Sequence, residues 1–193
     1  MHLLFRPQSF SFRAQGMATP TRQNVVITGA SSGIGRAVAL DLAAKGYNLA
    51  LADLDAEGGK ALCKEIDDKQ LSVKVVYATI DLSLEENVGK LFNSFAKTYP
   101  TGLHGLVNCA ATNSTTDAPS HLLPASNLQK MMTSNLNSTL SCCTQFIRMA
   151  VSENNINVPP PGGYSIVNFS ATRNLPKDAF GSHYVRIVSP RVI

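Results

Sequence analysis

Three glycines in residues 28–35 (TGASSGIG) are spaced Gly29-x-x-x-Gly33-x-Gly35, a pattern suited to holding a phosphate. Glycine lets a backbone turn sharply and approach an anion with no Cβ in the way. The unbonded N–H groups of a helix that starts there then point at the anion, aided by the helix dipole. Asp53 lies 18 residues beyond Gly35, where a carboxylate can accept hydrogen bonds from the hydroxyls of an adenosine ribose and repel a 2′-phosphate. Together these features describe a pocket for a dinucleotide. Taken alone, the glycine-rich turn would also serve as an ordinary strand-to-helix connection.

The elements that must position these residues follow from periodicity. Asn24–Thr28 is an apolar run suited to a buried strand. After the glycines, Ile34, Val38 and Leu42 recur at helical spacing, with Ala39 and Ala43 beside them. Residues 47–53 form a second strand ending at Asp53. Leu62 and Ile66 mark one face of a helix whose start is weakened by Gly58 and Gly59. Residues 73–80 are β-branched and read as a third strand. Ser83 and Glu86 have capping-box spacing, opening a helix that turns Leu84, Val88, Leu91 and Phe95 to the core. Residues 105–110 are a fourth strand and its exit.

A polar loop, 112–124, leads to a long helix whose buried stripe is expected at Leu128, Met132, Leu136, Leu140, Cys143, Ile147 and Val151. Residues 159–163 (PPPGG) stop that helix, and residues 164–169 supply a fifth strand. Strands and helices alternate throughout, which argues for an α/β fold with a parallel sheet covered on both faces.

The 193 residues suffice for one such core. With 44% hydrophobic and 16% charged residues, the chain has the balance of a globular protein. The net charge of +4 is modest and its lysines and arginines are scattered. No basic run interleaves with aromatics, so nucleic acid is not an expected partner. No apolar stretch approaches the length of a membrane span. Cys63, Cys109, Cys142 and Cys143 lack C-x-x-C spacing and read as reduced thiols of a reducing compartment. The histidines are dispersed, so no metal site is expected. Residues 1–23 are basic and acid-free, the first carboxylate being Asp41. Two readings stand: a disordered extension upstream of a second start at Met17 in a cytoplasmic protein, or a mitochondrial transit segment. Pro7 is awkward in a long amphipathic helix and favours the first.

The glycine spacing, with Asp53 after the second strand, resembles the cofactor loop of the short-chain dehydrogenase/reductase family. The resemblance runs from about Asn24 to Tyr184. It implies a Rossmann-type doubly wound parallel sheet, incomplete at about five strands, and residues 24–193 as a truncated NAD(P)-binding domain. It also implies an oxidoreductase moving hydride between NAD(P) and a small alcohol or ketone. Carried over position by position, the cofactor residues would be Gly29, Ser31, Ser32, Gly33, Ile34, Gly35, Asp53, Asp81, Leu82, Asn108, Ala110 and Asn135. The family's Asn-Asn-Ala-Gly after the fourth strand reads Asn108-Cys109-Ala110-Ala111 here. Losing that glycine is expected to narrow the backbone choices beside the cofactor. NAD is expected from Asp53, and NADP is less favoured because neither Ser32 nor Leu54 is basic; Arg36 is the cation that keeps NADP in play.

The family's chemistry needs a tyrosine, a serine and a lysine four residues after the tyrosine, whose charge lowers the phenol pKa from about 10. Tyr184 stands in the tyrosine's place, and the catalytic candidates are Tyr184 and Ser170. The lysine position is Val188. The second serine of the family's strand end, 13 residues before the tyrosine, is Ala171, which leaves Ser170 at the first serine's place. The resemblance breaks after Tyr184, so impaired catalysis, a nucleotide-binding pseudoenzyme or a truncated isoform are all expected forms of this chain. The absent continuation would leave the fifth strand as a sheet edge, the family's dimer interface incomplete and the protein marginally stable.

Overall fold

Along the central strand β1 (Asn24–Thr28), Val25 and Ile27 face one side of the sheet and Val26 the other, and all three are buried. That two-sided burial requires helices on both faces. The computed structural model describes residues 22–112, 124–153 and 162–169. Within them β1 pairs in parallel with β2 (Asn48–Asp53) and β4 (Gly105–Asn108), β2 with β3 (Val75–Thr79), and β4 with β5 (Ser165–Asn168). The order is β3-β2-β1-β4-β5. Leu49, Leu51 and Val107 join Val25 and Ile27 under α1 (Gly33–Ala44) and α2 (Ala56–Asp68). Ala50, Ala52 and Leu106 join Val26 under α3 (Glu85–Thr98) and α5 (Ser138–Glu153). The expected Rossmann-type α/β sheet of five parallel strands is present.

The helix faces differ from the periodicity in instructive ways. In α1 the buried residues are Gly35, Ala39 and Ala43, while Ile34 is 57% exposed. A face of small residues lets the helix lie close to the sheet; Val38 and Leu42 flank it, partly buried against the same core, and Ile34 turns outward. Gly58 and Gly59 fall inside α2, which is capped by the Asp55 carboxylate accepting from the N–H groups of Glu57 and Gly58 at 3.1 and 3.0 Å. The capping box at Ser83 does not form. The Ser83 N–H donates to the Asp81 carboxylate at 2.9 Å instead, and α3 starts at Glu85 with Leu84 exposed and Phe92 added to its buried face.

The long helix is made of α4 (Ala125–Met131), a π-helical segment (Met132–Asn137) and α5. Its buried residues are Met131, Asn135, Ser138, Cys142 and Phe146, whereas Leu140 is 64% and Ile147 50% exposed. The sequence carries two apolar ridges there, and the one that turns inward holds Phe146, which meets the Tyr164 ring edge to face at 6.2 Å. The wider π turn also changes the phase between α4 and α5, which a constant 3.6-residue count does not follow.

At the end of the sheet where β1 begins, Asn24 acts as a clasp. Its side-chain amide donates to the Gly102 carbonyl at 2.6 Å and to Thr101 Oγ1 at 2.9 Å, and its oxygen accepts from Asn48 at 2.9 Å. Its backbone N–H donates to His104 Nδ1 at 3.1 Å. At the other flank, β5 is the edge strand of the described sheet and its residues Ile166 and Val167 are exposed. No helix among the described residues is long and apolar enough to cross a membrane.

Candidate functional site

The strand order reverses between β1 and β4, and in open parallel sheets a ligand crevice opens at that point, beyond the carboxyl ends of the strands. Here the chain leaving β1 and the chain leaving β4 come very close. A Cβ on Gly29, whose φ is +66°, would lie 2.6 Å from the Ala110 nitrogen. A Cβ on Gly35 would be driven into the Gly29 carbonyl oxygen. The glycine spacing is therefore enforced by backbone-to-backbone contact on two sides of the loop.

The Thr28 hydroxyl ties the same junction from below, accepting the N–H groups of Cys109 and Ala110 at 3.2 Å each. Gly33 has nothing within 4 Å of where its Cβ would point, and Ser32, the N-cap of α1, makes no side-chain cap. The first N–H groups of α1 have no helical acceptor and border the crevice.

That crevice has a volume of about 430 Å³. Of the expected residues, Gly29, Ser32, Gly33, Ile34, Gly35, Asp53, Asp81, Leu82 and Ala110 line it. Ser31, Asn108 and Asn135 do not; they lie behind it as supports. Asn108 donates to the Asn168 side chain at 2.9 Å. Asn135, buried in the π-helical segment, accepts the Thr112 N–H at 2.7 Å and donates to the Thr112 carbonyl at 2.8 Å, pinning the loop after β4. Thr112 in turn lines the crevice, as do Leu54, Ile80 and Ser134. Sequence reasoning did not select Ile80, Thr112 or Ser134; Ile80's place beside Asp81 was the signal available.

Asp53 closes the β2 end of the crevice. Its Oδ2 accepts the Ser31 N–H at 2.9 Å, and its Oδ1 accepts those of Leu54 and Asp55 at 2.7 and 3.2 Å. Leu54 beside it is 67% exposed. Arg36 is ion-paired with Glu65 on α2. Asp81 takes the Ser83 N–H while still facing the crevice, so it serves as turn former and lining residue together. Ala111 does not need the left-handed backbone: Gln70 is the non-glycine residue with positive φ among those described. The expected cost of losing a glycine there does not arise.

Burial pushes the Cys109 thiol up to about 11, so it lines the crevice as a neutral group. All four cysteines are free thiols. Among the described residues no three His, Cys, Asp or Glu side chains are grouped to hold a metal. Ser170 and Tyr184 lie outside the described residues, as do Ala171 and Val188.

The fold and its crevice define a Rossmann-type α/β protein with a glycine-rich loop bordering the crevice. The family model for short chain dehydrogenases matches residues 23–173, and the chain belongs to that family of NAD(P)-binding oxidoreductases. It is 38% identical over 87 residues to 3-hydroxyacyl-CoA dehydrogenase type-2 of Drosophila melanogaster, covering 45% of this chain and 32% of that protein. It is 28% identical over 168 residues to the very-long-chain 3-oxoacyl-CoA reductase of Pyricularia oryzae, covering 82% of this chain and 48% of that one. A crystal structure of 3-oxoacyl-[acyl-carrier protein] reductase from Brucella melitensis in complex with NAD superposes with a TM-score of 0.74 at 23% identity, covering 87% of this chain and 63% of that one. The matched stretches thus span about a third to a half of the two curated relatives.

Proposed function

We propose that the chain binds NAD in the crevice between Gly29 and Asp53, that its reaction by descent is the interconversion of a small alcohol and its carbonyl, and that this chain's own catalysis is impaired. The observation that carries the binding half is the crevice bordered by the glycine-rich loop, where Gly29 packs on Ala110 and Gly35 on Gly29 so closely that a Cβ at either would collide with backbone. The unbonded N–H groups at the start of α1 suit a pyrophosphate. Asp53 suits the ribose hydroxyls and disfavours a 2′-phosphate. The pairing of Arg36 with Glu65 supports NAD over NADP, because it engages the cation that NADP would require.

When bound, NAD supplies the carbon that accepts or gives the hydride. The chain's part is to hold the dinucleotide and to manage a proton at the substrate oxygen. Tyr184 is the group placed by resemblance to exchange that proton, and Ser170 to hydrogen-bond the oxygen. Val188, at the lysine position, carries no charge to lower the phenol pKa, and Ala171 offers no hydroxyl. These two residues favour a second reading, a nucleotide-binding protein without turnover.

Titration of the purified chain with NADH and NADPH, followed by the emission of the reduced nicotinamide, tests the binding half. NADH binding at least about tenfold tighter is expected, the effect of one well-placed charge interaction. Equal affinities or a preference for NADPH would overturn the assignment of NAD. Carbonyl reduction at the rate of an ordinary dehydrogenase, on the order of 10 per second, would overturn the impairment.

A further inference from the structure

Arg36 is the one cation between Asn24 and Ala44, the stretch that holds β1, the glycine-rich loop and α1. Its N–H donates to the Ser32 carbonyl at 3.1 Å, which sets it one helical turn beyond a residue that lines the crevice. Side chains on an α-helix lean toward its N-terminus and cover the preceding turn. A free arginine at this position would therefore lie over Ser32, which shares the crevice with Asp53 and Leu54. Its guanidinium pairs instead with the Glu65 carboxylate on α2.

That pairing draws the cation away from the crevice. The first turn of α2 lies level with the glycine-rich loop, since a Cβ on Gly58 would be 3.1 Å from the Ser31 Cβ. Glu65 is roughly 13 Å along the axis from the first residue of α2, whereas Arg36 is only about 4.5 Å from the first residue of α1. The helix that carries Glu65 is itself fixed. Gly59 lies so close on the Tyr77 ring that a Cβ would run into it, the Tyr77 hydroxyl donates to the Asp55 carbonyl at 2.6 Å, and Leu62 and Ile66 are buried. The carboxylate is committed on both oxygens, Oε2 to Arg36 and Oε1 to Lys69 at 3.2 Å. Lys69 is the C-cap of α2, at the end of that helix away from Asp53, so it cannot take the place of Arg36 at the crevice.

We propose that Glu65 is a specificity-determining residue for the dinucleotide: it holds Arg36 off the mouth of the crevice, so that a 2′-phosphate there would meet Asp53 and no cation. The inference rests on the reading of the crevice as an NAD site, and it gives a residue outside the crevice a part in the choice between NAD and NADP. In the full chain, Glu65→Gln is expected to tighten NADPH binding roughly threefold to fivefold, the scale of one solvent-exposed charge contact. NADH binding should move less than about twofold. Asp53 is still in place, so the preference narrows without reversing. The same change made in Arg36→Ala should leave NADPH binding where it was, because the gain is carried by the freed guanidinium.

An unchanged or weakened NADPH affinity in Glu65→Gln overturns the proposal. So does a gain that survives in the double variant, which is what a change of net charge alone gives, or an equal gain for NADH and NADPH. A wild-type chain that binds neither dinucleotide, or that prefers NADPH, overturns the reading of the crevice as an NAD site, and this inference with it. A wild-type preference for NADH that Glu65→Gln leaves unaltered overturns this inference alone.

Discussion

The β1–β3 side of the molecule and its α4–β5 side pack in different ways. On the first, the buried positions of α1 are Gly35, Ala39 and Ala43, and the tightest contacts are backbone against backbone or a helix glycine against a ring. On the second, packing rests on large side chains such as Phe146 and Tyr164, with Asn135 buried in the preceding π-helical segment and Leu140, Ile147 and Val167 left exposed. Interlocking small residues permits almost no displacement, which suits loops that, as proposed, hold a dinucleotide in one register. A side held by a few large residues has more ways to shift, and there the chain uses hydrogen bonds from Asn135 to hold the crevice wall.

Substitutions on each side can break or sharpen this contrast. The largest effect is expected at Phe146→Ala, about 4 kcal/mol of stability lost to the cavity, while Ile147→Ala next to it should stay within about 0.5 kcal/mol. Urea denaturation measures both, and comparable losses at the two positions would mean that the outer ridge of α5 is covered. On the opposite side, Gly35→Val should cost about 3 kcal/mol, since the Gly29 carbonyl is in the new side chain's place. It should also weaken NADH binding beyond ordinary detection; retained binding would deny that the loop is rigid.

Asn135→Ala is expected to cost about 2 kcal/mol, because it removes two hydrogen bonds to the Thr112 backbone in a part-buried setting. Faster hydrogen exchange at the Thr112 amide, with little change in β1, would locate the damage on the second side. The smallest effect is expected from alkali. Cys109 is raised to about 11 and Cys142 to about 12 from 9.0, and Tyr77 to about 12 from 10.0. Each stays protonated in the fold after its unfolded counterpart has ionised, so its contribution is full below pH 9 and is lost as the pH climbs toward 12. A urea midpoint that is flat from pH 7 to about 8.5 and falls above about 9 is the expected profile, shallower in Cys109→Ser.

Strand positions were legible because a parallel sheet buried on both faces needs short apolar runs, as in Asn24–Thr28. The crevice lining was legible where backbone geometry restricts residue type, at Gly29, Gly33 and Gly35, or where a lone carboxylate ends a strand, at Asp53. Helix faces were legible on α2 and α3, at Leu62, Ile66, Val88, Leu91 and Phe95, but not on α1 or the long helix. Hydrophobicity ranks Ile34 above Ala39 and Leu140 above Ser138, yet the smaller residue is the buried one in each pair, because distance of approach, not apolarity, decides which side of a helix meets a sheet. The supports were hidden for a related reason. Nothing in the local pattern around Tyr77 or Thr112 shows that each is joined to residues more than twenty positions away.

The clasp at Asn24 has a bearing on acid. His104 can accept the Asn24 N–H only while its Nδ1 is unprotonated, and burial already holds that imidazole below its ordinary 6.5. Acidification below about 6.5 therefore favours the unfolded chain, whose histidine takes up a proton more readily. The strain of low pH enters at the floor of the sheet, at the opposite pole from the crevice, so the proposed binding and endurance in acid can be altered independently of each other.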